Sequence, residues 1–276
     1  MSKKKKRQAN KSKKPKTNSG LTFTKVEKPT PKRTDLENTL KSVYEDTISL
    51  ETKCCHKCEC CNVAMPQINY CEFINIVTAL WKDEDDSIKI DFICTSIEYY
   101  FRNEYDKWGM DSLIKPCMFL KDNMCSIYEN RPLACRLYGQ WPEKMYNERV
   151  DKFEKAYAKY GLTRKDLPLG RQCGDVTRVD TSQELTEEVI ESLYDMLDDL
   201  DKTVGDFSSL QVKQKENYRT FHDWLLLKIF GEEWLSMITS FILAANREQM
   251  EDQIGQLQVA VQEKFKIKLV DIKDTL

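Results

Sequence analysis

Apolar positions along the chain recur mostly at helical spacing. Tyr70, Phe73, Ile74, Val77 and Trp81 stand at offsets 0, 3, 4, 7 and 11, one continuous stripe, and Pro66 is expected to open that helix. Thr34-Asp35-Leu36-Glu37 reads as a capping box, and the helix after it carries Leu36, Leu40, Val43 and Tyr44 on one face. Residues 88–103 mix two periods. Ile88, Ile90 and Phe92 alternate like a strand, but Ile93, Ile97, Tyr100 and Phe101 step like a helix, and the longer pattern is taken. Pro142 to Tyr160 is a helix stopped by Gly161. Thr181 to Glu184 is a second capping box, starting a helix with Val189, Leu193, Met196, Leu197 and Leu200 inward and a break at Gly205. Residues 212–263 read as two or three helices interrupted at Gly231, with Trp234, Leu235, Ile238, Phe241, Ile242 and Ala245 on one stripe. Lys264 to Leu269 alternates strictly and predicts a short terminal strand. No internal repeat occurs at any fixed period.

The expected fold is mainly α. It comprises a cysteine-rich, metal-organised helical domain at 34–180, a helical C-terminal region at 181–276, and a basic tail at 1–33. That tail holds 13 Lys/Arg against one acid, Glu27, and almost no large apolar side chain. It cannot bury enough surface to offset ordering, so disorder is expected. The cluster Lys3 to Arg7 would attract a polyanion or nucleic acid, yet nothing aromatic is interleaved for base stacking. The simpler expectation is a solvated tail with weak, general affinity for polyanions. The rest of the chain is acidic, with 30 basic and 44 acidic residues.

Only nine glycines occur in 276 residues, which argues against Gly-rich phosphate loops and many-turned β folds. The longest apolar-rich run, Trp234 to Ala245, is too short and too interrupted to span a bilayer. No apolar secretory pattern follows Met1, so a cytoplasmic protein with no membrane partner is expected. In a reducing compartment, 11 cysteines point to metal or redox chemistry rather than disulfides.

Those cysteines cluster in two blocks. The first holds Cys54, Cys55, Cys58, Cys60 and Cys61, too dense for periodicity and read as a metal-ordered loop. The second runs from Lys115 to Trp141 and holds Cys117, Cys125 and Cys135 around a tight turn at Lys121-Asp122-Asn123. Arg131-Pro132 then starts a helix, because a first turn tolerates a proline, and Cys135 falls in that turn, where N–H groups and the dipole favour a thiolate. Soft thiolates bind zinc, iron or iron–sulfur clusters, and C-x2-C spacing lets two converge from one turn. Cys55 to Cys58 and Cys58 to Cys61 both meet that spacing. The two blocks are expected to fold onto each other around a metal.

The second block stands as Cys117-Met-Phe-Leu120, then Cys125-Ser-Ile-Tyr128-Glu-Asn-Arg131-Pro-Leu-Ala-Cys135-Arg136. On these residues the chain resembles the YkgJ-type cysteine-cluster proteins, whose pattern is a dense CxxCxxCC block, a helix, then C-x-F-L…C-x-I-Y-x-x-R-P-x-x-C-R. The resemblance covers roughly 54–136 and extends toward Cys173. In the first block the expected cysteine pair falls one residue early, at Cys60 and Cys61, so the third ligand is either or both. The resemblance implies a metal site built from Cys55, Cys58, Cys60, Cys61, Cys117, Cys125 and Cys135. A related branch, the flagellin lysine methylases, carries a similar arrangement with an iron–sulfur cluster. The implied cofactor is an iron–sulfur cluster or a zinc or iron ion, with the cluster preferred because the cysteines outnumber what one zinc needs.

Three functions follow: a metal-binding cysteine-cluster protein with an unidentified protein partner, a cluster-dependent protein lysine methyltransferase, and a nucleic-acid-associated protein with a structural metal. Whether the chain is an enzyme stays open. Arg131 and Arg136 flank Cys135 and are assigned to the cofactor, as donors to cluster sulfur or as charges that lower the thiol pKa; the plain alternative is a surface ion pair. Cys54-x3-Cys58-x2-Cys61 has radical-SAM ligand spacing, but no β/α barrel pattern accompanies it. No G-x-G loop suits a Rossmann-type pocket, and no βαβ unit suits a thioredoxin motif. Cys94 and Cys71 read as core residues, Cys173 as core or ligand, His56 as a supporting donor or exposed side chain, and His222 as structural. Tyr128 should pack beneath the site. The acids Asp198, Asp199 and Asp201 read as a solvated helix face.

Overall fold

A computed structural model describes residues 33–45, 52–53, 59–63, 65–82, 85–109, 116–167, 176–182, 184–204 and 218–273. All of these belong to one unit, Pro31–Leu276. The expected tail at 1–33 lies outside the described residues apart from Arg33, as do Cys54, Cys55, His56, Cys58, Cys173 and Gly205.

The architecture is mainly α, with ten α-helices among the described residues. In chain order they are α1 (Arg33–Glu45), α2 (Glu59–Val63), α3 (Tyr70–Trp81), α4 (Asp86–Gly109), α5 (Leu133–Leu137), α6 (Glu143–Tyr157), α7 (Glu187–Val204), α8 (Phe221–Phe230), α9 (Glu232–Ala244) and α10 (Arg247–Lys273). Six two-residue strands pair antiparallel: β1 (Thr52–Lys53) with β5 (Thr177–Arg178), β2 (Gln67–Ile68) with β6 (Arg219–Thr220), and β3 (Leu120–Lys121) with β4 (Met124–Cys125).

Of the predicted stripe of α3, Tyr70, Phe73, Ile74 and Val77 are buried and Trp81 is partly buried, while Ile76, outside the stripe, joins the core. The start of α3 differs from expectation. Pro66 does not open it, because Gln67 and Ile68 pair with Thr220 and Arg219, and Asn69 becomes the N-cap. The free N–H groups of that first turn are met from α7. Asp201 accepts from Tyr70 N at 3.1 Å, Cys71 N at 2.7 Å and Asn69 Nδ2 at 3.1 Å. Asp201 is therefore buried, not part of a solvated face, and Asp198 also accepts from Asn69 Nδ2, at 2.9 Å. Helix α7 begins at Glu187, later than the Thr181 box implied, and Thr186 Oγ1 accepts from Val189 N.

The aromatic hub of the core is Phe221 on α8. Its ring lies 5.3 Å from Phe73, 5.8 Å from Phe92 and 4.9 Å from Phe119, so α3, α4 and the segment after Cys117 meet on one side chain. Each such ring pair adds about 0.5–1.5 kcal/mol beyond its buried area. Trp224 donates to Ile68 O at 3.0 Å, fixing α8 on the chain that leads into α3. Residues 88–103 lie within α4, which packs along α10 through Cys94 and Gln258 and through the Arg102–Glu251 ion pair. The predicted strand at Lys264 to Leu269 is instead the continuation of α10. Extending a helix already fixed on α4 by Met250, Ile254, Leu257 and Val261 costs little per residue, whereas a lone strand would have no partner.

Candidate metal centre

The second cysteine block folds as a small clasp. Cys117 leads into a turn closed by Leu120 N to Cys117 O at 3.0 Å. Strands β3 and β4 then pair Leu120 with Cys125, around Asp122 and Asn123 at φ 49° and 59°. That left-handed pair is one that Asp and Asn tolerate, and it makes the predicted turn. A single 3-10 turn, Tyr128–Asn130, leads to Pro132, the N-cap of α5, and Cys135 is the third residue of that helix.

The first block is described from Glu59 onward. Cys60 and Cys61 are not in a loop but in α2, with their sulfurs 3.9 Å apart. The blocks meet as expected: Cys117 N donates to Cys61 O at 2.6 Å. Cys60, Cys61, Cys117, Cys125 and Cys135 all line one cavity of about 1120 Å³, beside Arg131, Phe119 and Ile127.

Burial pushes the Cys117 thiol up to about 12; a hydrogen bond from Phe119 N–H opposes it, and the neighbouring Cys125 and Cys60 add to it. The Cys135 thiol is held well above its ordinary value, first by burial, then by Cys117, Cys60 and Cys125. The helix N-terminus was expected to favour a thiolate there. Desolvation outweighs it because a five-residue helix has little dipole and the sulfur sits among other sulfurs. The adjacent pair behaves as one unit. An S–H donated by Cys61 holds the Cys60 thiol down to about 7, while the same contact, burial and the nearby sulfurs push Cys61 up.

Cys61, Cys117 and Cys135, which burial and neighbouring sulfurs hold protonated, form a soft donor set with Cys60 and Cys125. A cation that takes thiolates reverses both penalties, so the residues present fit a metal. Among the described residues no three His, Cys, Asp or Glu side chains are drawn into a finished coordination cage. The thiols share a cavity, and Cys55 and Cys58 lie outside the described residues.

Residues 52–156 match the family model described as "CxxCxxCC: Putative zinc- or iron-chelating domain". No curated protein and no solved structure matches the chain. The match runs from β1 into the last turn of α6, beyond Cys135 and short of Cys173.

The flanking residues divide. Arg131 is buried, lines the cavity and lies 4.2 Å over the Tyr128 ring, which is not itself among the cavity's lining. Arg136 turns to the clasp itself. Its Nε donates to Arg131 O at 2.9 Å, its Nη2 to Glu129 O at 2.8 Å, and its guanidinium lies 4.4 Å over Tyr44. Cys94 and Cys71 are buried, Cys94 against Gln258 O and Cys71 against Leu197 O. His222 is buried between Tyr99 and Tyr100 with Nδ1 3.2 Å from Met65 Sδ, and it borders the same cavity. The sequence reading passed over Glu72, a buried acid under α5, although Asn69-x2-Glu72 is legible as a capping box.

Proposed function

We propose that the chain is a thiolate metal-centre protein whose CxxCxxCC domain holds an iron–sulfur cluster. The observation that carries this reading is the convergence of Cys60, Cys61, Cys117, Cys125 and Cys135 on one cavity, more sulfur donors than a single zinc takes. The family's description, zinc- or iron-chelating, supports the coarser statement of metal binding. The ligands would come from Cys60 or Cys61 with Cys117, Cys125 and Cys135, joined by Cys55 and Cys58. A bound cluster would supply one-electron chemistry. The chain's part is to keep the thiols together, to exclude water with Phe119 and Ile127, and to place the Arg131 cation beside them.

Anaerobic reconstitution tests this. Iron and sulfide retained through gel filtration, with a broad visible band, is the expected result. Retention of zinc alone, in a colourless protein offered both, contradicts it.

A second reading, cluster-dependent methyl transfer to protein lysine, is favoured by the cavity itself, which has room for a small cofactor beside the sulfurs. Equilibrium dialysis against S-adenosylmethionine checks it; absence of binding to the reconstituted protein removes that reading.

A further inference from the structure

Helix α5 is five residues long and cannot hold itself in place. Its position, and with it the position of Cys135, comes from outside contacts. The first of its N–H groups, on Leu133, donates to Glu72 Oε1 at 2.6 Å. Tyr44 Oη donates to the same oxygen, also at 2.6 Å. The other oxygen, Oε2, accepts from Asn69 N at 3.1 Å.

Of these three bonds to Glu72, the capping box of α3 uses only the last. On an isolated helix the remaining oxygen would face water. Here Glu72 is 3% exposed, and that oxygen joins α1, α3 and α5 at a point two residues before Cys135. Burying a carboxylate is costly unless its lone pairs are met, and three donors from three elements meet them. Arg136, the residue after Cys135, closes the arrangement by lying over the Tyr44 ring.

We propose that Glu72 is a positioning residue of the metal centre, completed by Tyr44: together they hold α5 so that Cys135 faces the cavity shared with the other thiols. This rests on the thiolate-centre reading above. Tyr44 precedes residues 52–156, so the centre draws on a helix outside the CxxCxxCC domain.

The test uses full-length protein purified without oxygen, and compares wild type with Glu72→Gln, Tyr44→Phe and a capping control, Asp85→Ala. Gln keeps the shape of Glu72 but turns one acceptor into a donor. Phe removes one bond and leaves the Leu133 tether. Asp85 caps α4 from an exposed position, through Ser87 N at 2.8 Å and Ile88 N at 3.1 Å. Metal per chain, loss of metal to EDTA and the visible or EPR spectrum are read beside urea unfolding. The expected result is at least tenfold faster loss of metal in Glu72→Gln with an altered spectrum, and a smaller change of the same sign in Tyr44→Phe. Asp85→Ala should lose stability yet keep the wild-type spectrum. A wild-type spectrum and EDTA resistance in Glu72→Gln overturns the proposal, and the same result in Tyr44→Phe does so if Glu72→Gln does not fold. A wild-type protein that holds no metal overturns the thiolate-centre reading, and this proposal with it.

Discussion

Cys94 and Cys135 differ in their neighbours, and the neighbours decide what each can do. Cys94 packs on α4 with its sulfur toward the Gln258 carbonyl, whereas Cys135 sits among the sulfurs of Cys117, Cys60 and Cys125. Cys135→Ser and Cys125→Ser should each lose metal, and Cys94→Ser should keep it; full metal content in Cys135→Ser would remove that residue from the ligand set. The thiols also fix a pH dependence. With Cys117 pushed up to about 12 and Cys135 raised, both carry protons at neutral pH until a cation displaces them. Metal loading should therefore release protons, and apparent affinity should rise with pH. A weakly buffered titration with a pH indicator measures this, and loading without acidification would count against Cys117 and Cys135 as ligands. The clasp itself was legible in the sequence, since the Asp122-Asn123 turn between Cys117 and Cys125 brings the two apolar pieces together. The protonation state was not, because it depends on how many sulfurs tertiary contact brings together.

At the scale of elements, α7 fixes the N-terminus of α3, the helix that carries Glu72. Asp201 meets three donors at the α3 N-terminus, and Asp201→Ala would strip a cap and leave buried N–H groups unmet. Roughly 3 kcal/mol should be lost in urea unfolding. Burial, first of all, raises the Asp201 carboxyl pKa above its ordinary value, against hydrogen bonds from Cys71, Asn69 and Tyr70. A raised carboxyl takes its proton in the native state before it does so unfolded. Its contribution to stability is therefore largest below the ordinary carboxylate range and declines as pH rises through the native pKa. Wild type should gain on Asp201→Asn as pH falls from neutral toward that range. A constant difference would mean that the carboxyl does not titrate there. The buried stripe Ile190, Leu193, Leu197, Asp201 keeps helical spacing, so the position of Asp201 was readable, but its charge and its acidic neighbours pointed to solvent. What the spacing could not give was the partner, which lies some 130 residues earlier in the chain.

Across the whole molecule the core is continuous from Leu36 on α1 to Val261 on α10. Ile254, 4% exposed beneath α4, should cost about 3 kcal/mol when cut to Ala. The exposed Arg102–Glu251 pair nearby should cost under about 1 kcal/mol when Arg102 is replaced. Denaturant midpoints of the two variants compare them, and equal losses would mean that α10 is held by charge instead of packing. The alternation from Lys264 to Leu269 predicts a strand only when its six residues stand alone; the helix that precedes them continues through. The direct test of the account remains the metal. Metal analysis and a visible absorption spectrum on protein purified without oxygen should show iron, labile sulfide and a broad sulfur-to-iron band. A colourless protein with stoichiometric zinc would contradict the cluster and make the cysteine clasp a structural staple.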